Sequence, residues 1–130
     1  MKKEIETRED LEKLLTEFYR IAPFDQQIGH HFDDTDLDAH LPIIVDFWEK
    51  VLFGKPVYFS NPLLVHQILN AKAALTLSDF QRWVEIFTNT VDKFFTGEIA
   101  DTAKLRARAI ADSLHKNLNP VNLKRAIKTP

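Results

Sequence analysis

The 130-residue chain has no cysteine, little glycine or proline, and no long apolar run. Without cysteine, a disulfide framework, a thiolate metal site and a cysteine nucleophile are all excluded. The chain has only 3 glycines and 6 prolines, and this small number favours long helices joined by short turns. No stretch approaches the roughly 18 apolar residues of a membrane span, and the charged start predicts no secretory signal. We therefore expect a soluble, cytoplasmic protein.

The chain also has no large excess of charge of one sign, because 17 basic and 19 acidic residues give a formal net charge of −2. No basic face stands out that would bind a phosphate backbone, so neither a nucleic-acid nor a membrane partner is expected. Aromatic residues are abundant instead, with 10 Phe and 2 Trp. They fit either a bulky core or a pocket for a large flat ligand, and composition leaves both open.

Apolar residues recur at helical spacing, and the alternation typical of strands is missing. The first helix is predicted to begin at Thr7, which forms a capping box with Asp10, and to end before Pro23. A short helix or turn follows, up to Phe32. A second long helix is predicted from about residue 36 to residue 53. Its expected inward stripe is Leu37, His40, Leu41, Ile44, Phe47, Trp48, Val51 and Leu52.

Three further helices are predicted in the second half of the chain. A short one runs from 62 to about 71, and a long one runs to Phe95 from a capping box of Ser78 and Gln81. The last runs from about 101 to 118. The pattern predicts a single all-α domain over residues 1–130, with its core at about 7–118 and a tail at 119–130.

Polar side chains on the apolar faces are the informative residues. Tyr19, His40 and Trp83 are predicted to point inward from three different helices. If buried, each needs a hydrogen-bond partner. Each also has an ordinary interpretation as a core residue, and spacing alone does not decide between the two.

His66 lies on the short helix, which has few apolar anchors and is too short to be stable alone. Either packing or a bond from His66 to a bound group fixes that helix. The adjacent His30 and His31 lack a third ligand at helical spacing, so they are a weak metal signal. No metalloprotease, nucleophile-elbow, P-loop or dinucleotide motif is present.

Taken in order, these residues resemble the group III truncated haemoglobins over about residues 7–118. The matching features are Phe18-Tyr19, Phe32, His40, Phe47-Trp48, Tyr58, Asn61-Pro62, His66, Phe80-Gln81-Arg82-Trp83 and the alanine- and arginine-rich stretch 105–111. The resemblance implies a globin-like two-over-two helical sandwich that holds haem b.

The same resemblance implies a role for each site residue. His66 falls on the histidine that binds the iron, and Tyr19, Trp83 and His40 fall on the residues that act on the ligand. The residues expected to contact the cofactor are His66, Phe32, Tyr58, Phe80 and Trp83.

A function follows from these roles as an expectation. A neutral imidazole on haem iron leaves one position open for O₂, NO or CO. Donors on the opposite side favour tight retention, so NO dioxygenase-like or peroxidase-like turnover with an unidentified reductase is expected ahead of oxygen transport. The chain is expected to be a monomer or weak dimer.

Two alternatives stay open. One is a haem-free helical interaction module whose aromatic groove receives an amphipathic helix of a partner. The other is a globin-like sensor that binds a different apolar ligand, and the presence of His66 argues against it.

Overall fold

The structure is a computed structural model that describes residues 2–33, 36–54 and 75–118. Within these ranges the chain forms no strand, and only an isolated bridge pairs Lys3 with Phe95. The predicted all-α class is confirmed. The helices are α1 (Arg8–Ile21), α2 (Leu37–Phe53), α3 (Leu77–Phe94) and α4 (Glu98–Leu118), and short 3₁₀ turns form at Ala22–Phe24 and Gly29–Phe32.

The ends of α1 and α2 follow from local sequence, as predicted. The Thr7 hydroxyl accepts from the backbone N–H of Asp10, and the Asp10 carboxylate accepts from the N–H of Thr7. Asp36 caps α2 by accepting from the N–H of Ala39. Gly54 ends α2 at a φ of 70°, a left-handed conformation that glycine adopts without strain.

The predicted starts of α3 and α4 are wrong by a few residues. The capping box of α3 is formed by Thr76 and Asp79, two residues earlier than the predicted pair of Ser78 and Gln81. Helix α4 begins at Glu98 because a distant carboxylate satisfies its first backbone donors. That carboxylate belongs to Glu4, which accepts from the N–H groups of Ile99 and Ala100 at 2.9 Å each.

Helix α1 packs against both α2 and α3, and α4 packs against α3 and α2. The inward α1 residues Leu11, Leu14, Leu15 and Phe18 are fully buried, as the spacing predicts. Phe87 and Val91 meet them from α3, and Ala103 and Ala107 line α4. The small alanine side chains let α4 approach the core closely.

The buried face of α2 is rotated from the predicted stripe. Val45 and Glu49 are buried, whereas His40 is exposed, so the prediction that His40 points into the core is wrong. His40 lies in the first turn of α2, where the core contacts of the helix are only beginning. The buried Glu49 carboxylate contacts the guanidinium of Arg8 at the start of α1, which explains how α2 carries a charge on its inner face.

None of the helices in the described ranges is both long and apolar enough to cross a membrane.

Candidate functional site

The aromatic ring of Phe18 is the centre of a cluster that joins α1 to α3. It meets the rings of Tyr19, Trp83 and Phe87 edge-on, with centroid distances of 4.9, 5.9 and 5.9 Å. Edge-to-face contacts of this kind are favourable beyond the area they bury. Tyr19 and Trp83, which the sequence predicted to point inward from different helices, are therefore neighbours on one ring.

Local structure explains how these rings meet. Phe18 and Tyr19 lie in the last turns of α1, and the turn after it brings Phe32 to 5.9 Å from the Tyr19 ring. Trp83 and Phe87 are one turn apart on α3 and stack with an interplanar angle of 16°. We call Phe18, Tyr19, Phe32 and Trp83 the aromatic wall.

Exposure divides this cluster into two sides. Phe18 and Phe87 are fully buried, and Trp48 of α2 stacks on the far side of Phe87 at 4.8 Å. Tyr19, Phe32 and Trp83 pack against the same core but remain half-buried. The wall therefore presents a partly open apolar surface that carries a phenol and an indole.

Both polar groups on this surface are hydrogen-bond donors. Across the part of the chain that the structure describes, neither the Tyr19 hydroxyl nor the Trp83 indole N–H has a hydrogen-bond partner. Burial raises the pKa of Tyr19, so its hydroxyl keeps its proton at neutral pH and remains a donor. An apolar surface that carries two donors suits a ligand that is largely apolar and has a small polar acceptor.

Helix α2 adds apolar surface beside its buried face. Ile44, Phe47 and Val51 are half-buried and follow one another at helical spacing. His40 continues this strip at its exposed end, one turn before Ile44. Such a strip is typical of a helix that meets both the protein core and a second apolar partner.

Phe80 occupies a second, smaller cluster with Ala111 and Leu114. It is buried, and its ring lies 6.0 Å from the ring of His115 on α4. Trp83 packs against both clusters, so Phe80 supports Trp83 from the α4 side. The predicted contact of Phe80 with a cofactor stays a prediction.

Two predicted site residues, His66 and Tyr58, lie outside the described residues, as does the helix predicted around His66. Iron ligation by His66 and a cofactor contact by Tyr58 therefore stay predictions. Within the described ranges, no group of three or more His, Cys, Asp and Glu side chains is arranged to hold a metal ion.

One buried polar pair was missed by the sequence reasoning. The imidazole of His31 lies 3.3 Å from the carboxylate of Asp79, 48 positions along the chain. The sequence indicates a role for Asp79 as a helix cap, since Thr76 and Asp79 have the spacing of a capping box. It does not indicate the contact with His31, because the two residues are far apart in the chain.

Known proteins were compared with this chain in sequence and in structure. No protein-family model matches the chain, and no curated protein matches it in sequence. The fold is similar to the crystal structure of a group III truncated haemoglobin from Campylobacter jejuni, with a TM-score of 0.80 and 25% sequence identity. The match covers 93% of this chain and 98% of the other. The resemblance seen in the sequence is thereby confirmed, and the chain has the fold of a truncated globin.

Proposed function

We propose that this truncated globin binds haem b through His66 and takes diatomic ligands beside Tyr19 and Trp83. The fold supports the proposal, since its structural neighbour is a truncated haemoglobin. The observation that carries it is the aromatic wall, where two donors without protein partners in the described residues lie on a half-open apolar surface.

The residues of the wall fit an iron porphyrin. Phe32 provides apolar surface for a flat macrocycle, and the half-buried strip of Ile44, Phe47 and Val51 on α2 provides more. His66 is proposed as the residue that would hold the iron, with Tyr58 and Phe80 as further cofactor contacts. Bound haem supplies an iron with one open position for O₂, NO or CO.

The chain itself would contribute hydrogen-bond donors in an apolar surrounding that excludes water. The Tyr19 hydroxyl and the Trp83 indole N–H would donate to the polar end of a bound diatomic ligand, and the surrounding rings would exclude water. Each hydrogen bond in such a site contributes about 1–3 kcal/mol, which slows ligand release by about 5- to 150-fold. His40, exposed in the first turn of α2, is proposed as a third residue that acts on the ligand.

Slow release suits reaction better than transport. A ligand that stays bound for long has time to react with NO or to be reduced, so we propose NO dioxygenase-like or peroxidase-like turnover ahead of oxygen transport. Either activity needs an external reductase. The proposed setting is the cytoplasm, with the chain as a monomer or weak dimer.

Haem titration of the purified protein tests the proposal. We expect a strong absorbance band at the violet edge of the visible spectrum that saturates at one haem per chain. His66→Ala should abolish or shift the band, whereas the control His115→Ala, on α4 beside Phe80, should keep it.

The opposite outcome favours the haem-free interaction module. In that case haem produces no saturable band, and the melting temperature of the protein is the same with and without haem.

A further inference from the structure

The turn between α1 and α2 is fastened to the first turn of α3 by a buried histidine. The side chain of His31 is only 6% exposed, and its Nε2 lies 3.3 Å from Oδ2 of Asp79. Its other ring nitrogen, Nδ1, is buried and has no partner in the part of the chain that the structure describes. The contact with Asp79 orients the imidazole ring, and in a neutral ring donation from Nε2–H to Asp79 leaves Nδ1 as an acceptor.

Asp79 gathers several donors at this junction. Besides His31, its carboxylate accepts from the backbone N–H of Thr76 at 3.1 Å and from the amide of Gln27 at 3.2 Å. The amide of Gln27 also donates to the hydroxyl of Ser78 at 2.8 Å. Burial raises the pKa of Asp79, but these donors outweigh it and hold the pKa below its usual range, so the carboxylate stays charged.

The turn itself has little freedom to move. A Cβ added to Gly29 would lie 2.4 Å from the carbonyl oxygen of Pro23, so only glycine permits this close approach. Asp25 accepts from the backbone N–H of Ile28 at 3.1 Å and from Nε of Arg82 at 2.9 Å. The turn and α3 are thus held together on two sides.

Both partners of the His31–Asp79 pair stand next to the aromatic wall. His31 directly precedes Phe32, whose ring meets Tyr19, and Asp79 lies one turn before Trp83. We propose that His31 and Asp79 are positioning residues, which set the Trp83 indole relative to Phe32 and Tyr19 and thereby tune ligand retention. The effect on ligands rests on the proposed function, whereas the effect on Trp83 does not.

The test replaces the pair and follows Trp83 directly. In wild-type protein the Trp83 indole N–H signal is assigned by NMR with Trp83→Phe. We expect His31→Gln and Asp79→Asn each to move or broaden that signal. The matched control is Thr76→Ala, which removes the capping hydroxyl of the same helix but leaves His31 on Asp79. It should lower the melting temperature by about 4 °C and leave the indole signal in place.

The haem-loaded protein provides the second measurement. In the ferrous CO form, the C–O stretching band reports the donors around the ligand. His31→Gln should shift or split this band and speed O₂ release about fivefold, as the loss of one well-aligned hydrogen bond predicts. Gln27→Ala, which keeps the histidine but removes a second donor to Asp79, should produce a smaller shift.

The outcomes separate the two proposals. An unmoved indole signal in folded His31→Gln overturns the positioning role, and so does an indole shift of equal size in Thr76→Ala. If wild-type protein takes up no haem, the proposed function fails, and the indole signal alone decides the positioning role. Should His31→Gln not fold, Gln27→Ala answers the same question with a milder change.

Discussion

The rings around Phe18 form an inner side and an outer side, which differ in exposure although they are built from the same kind of residue. On the inner side Phe87 and Trp48 stack at 4.8 Å, with 0% and 3% of their surfaces exposed. On the outer side Tyr19 and Trp83 contact Phe18 at similar distances but remain half-buried. Similar ring contacts therefore complete the core on one side and leave a half-open apolar surface on the other.

The inner side should carry the larger share of stability. Phe87→Ala removes a fully buried ring that contacts Phe18, Trp48 and Trp83, and we expect a loss of about 3–5 kcal/mol in the free energy of unfolding. Phe32→Ala on the outer side should cost less than about 2 kcal/mol, because that ring is only half-buried. Urea unfolding of the haem-free protein measures both. Equal losses would contradict the division into two sides.

A charged contact also belongs to the inner side. Arg8→Ala removes the guanidinium from Glu49, the buried neighbour of Trp48, and should cost about 1–2 kcal/mol. This figure lies below that for a fully buried pair because Arg8 is 34% exposed. The control is Glu12→Ala, which removes an exposed partner of Arg8 and should change stability by less than about 0.5 kcal/mol.

The contribution of Asp79, which supports the outer side, to the free energy of unfolding should depend on pH. Donors hold the folded pKa of Asp79 below its ordinary value near 4, so the charge stabilises the fold above about pH 4. This stability is lost as the pH falls through the folded pKa. Wild type should exceed Asp79→Asn by on the order of 1 kcal/mol at neutral pH. The difference should shrink below about pH 4, and one that is constant down to acid pH would exclude this role of the charge.

The outer side should carry the smallest stability effect. Tyr19→Phe removes a hydroxyl that has no hydrogen-bond partner in the described residues, so the haem-free protein should change by less than about 1 kcal/mol. Thermal unfolding followed by circular dichroism measures this change. A loss as large as that of Phe87→Ala would mean that the hydroxyl serves the core.

The sequence was sufficient wherever structure depends on neighbours in the chain. The Thr7–Asp10 box and the apolar spacing of α1 determine that helix locally, and its start and buried face were predicted correctly. The start of α3 was misplaced because two box-like patterns overlap there. Contacts of Asp79 with distant side chains favour the earlier one. The start of α4 depends on Glu4, about 95 residues away.

The candidate site shows the same limit. Periodicity correctly assigned Tyr19 and Trp83 to apolar helix faces, and the structure brings them together on Phe18. The same periodicity failed for His40, which is exposed. Periodicity shows which residues share a helix face, but it does not show how much of that face the neighbouring helices bury. Val45 and Glu49 were missed for the same reason, because α1 packs on a slightly rotated face of α2.

The O₂ dissociation rate of the haem-loaded protein tests the central claim most directly. Stopped-flow measurements should show release about tenfold faster in both Tyr19→Phe and Trp83→Phe than in wild type, since each variant loses a donor worth about 1.4 kcal/mol. Phe94→Leu, a half-buried change near the end of α3, should leave the rate unchanged. Wild-type rates in both donor variants would contradict the assignment of the outer side of Phe18 as the ligand site.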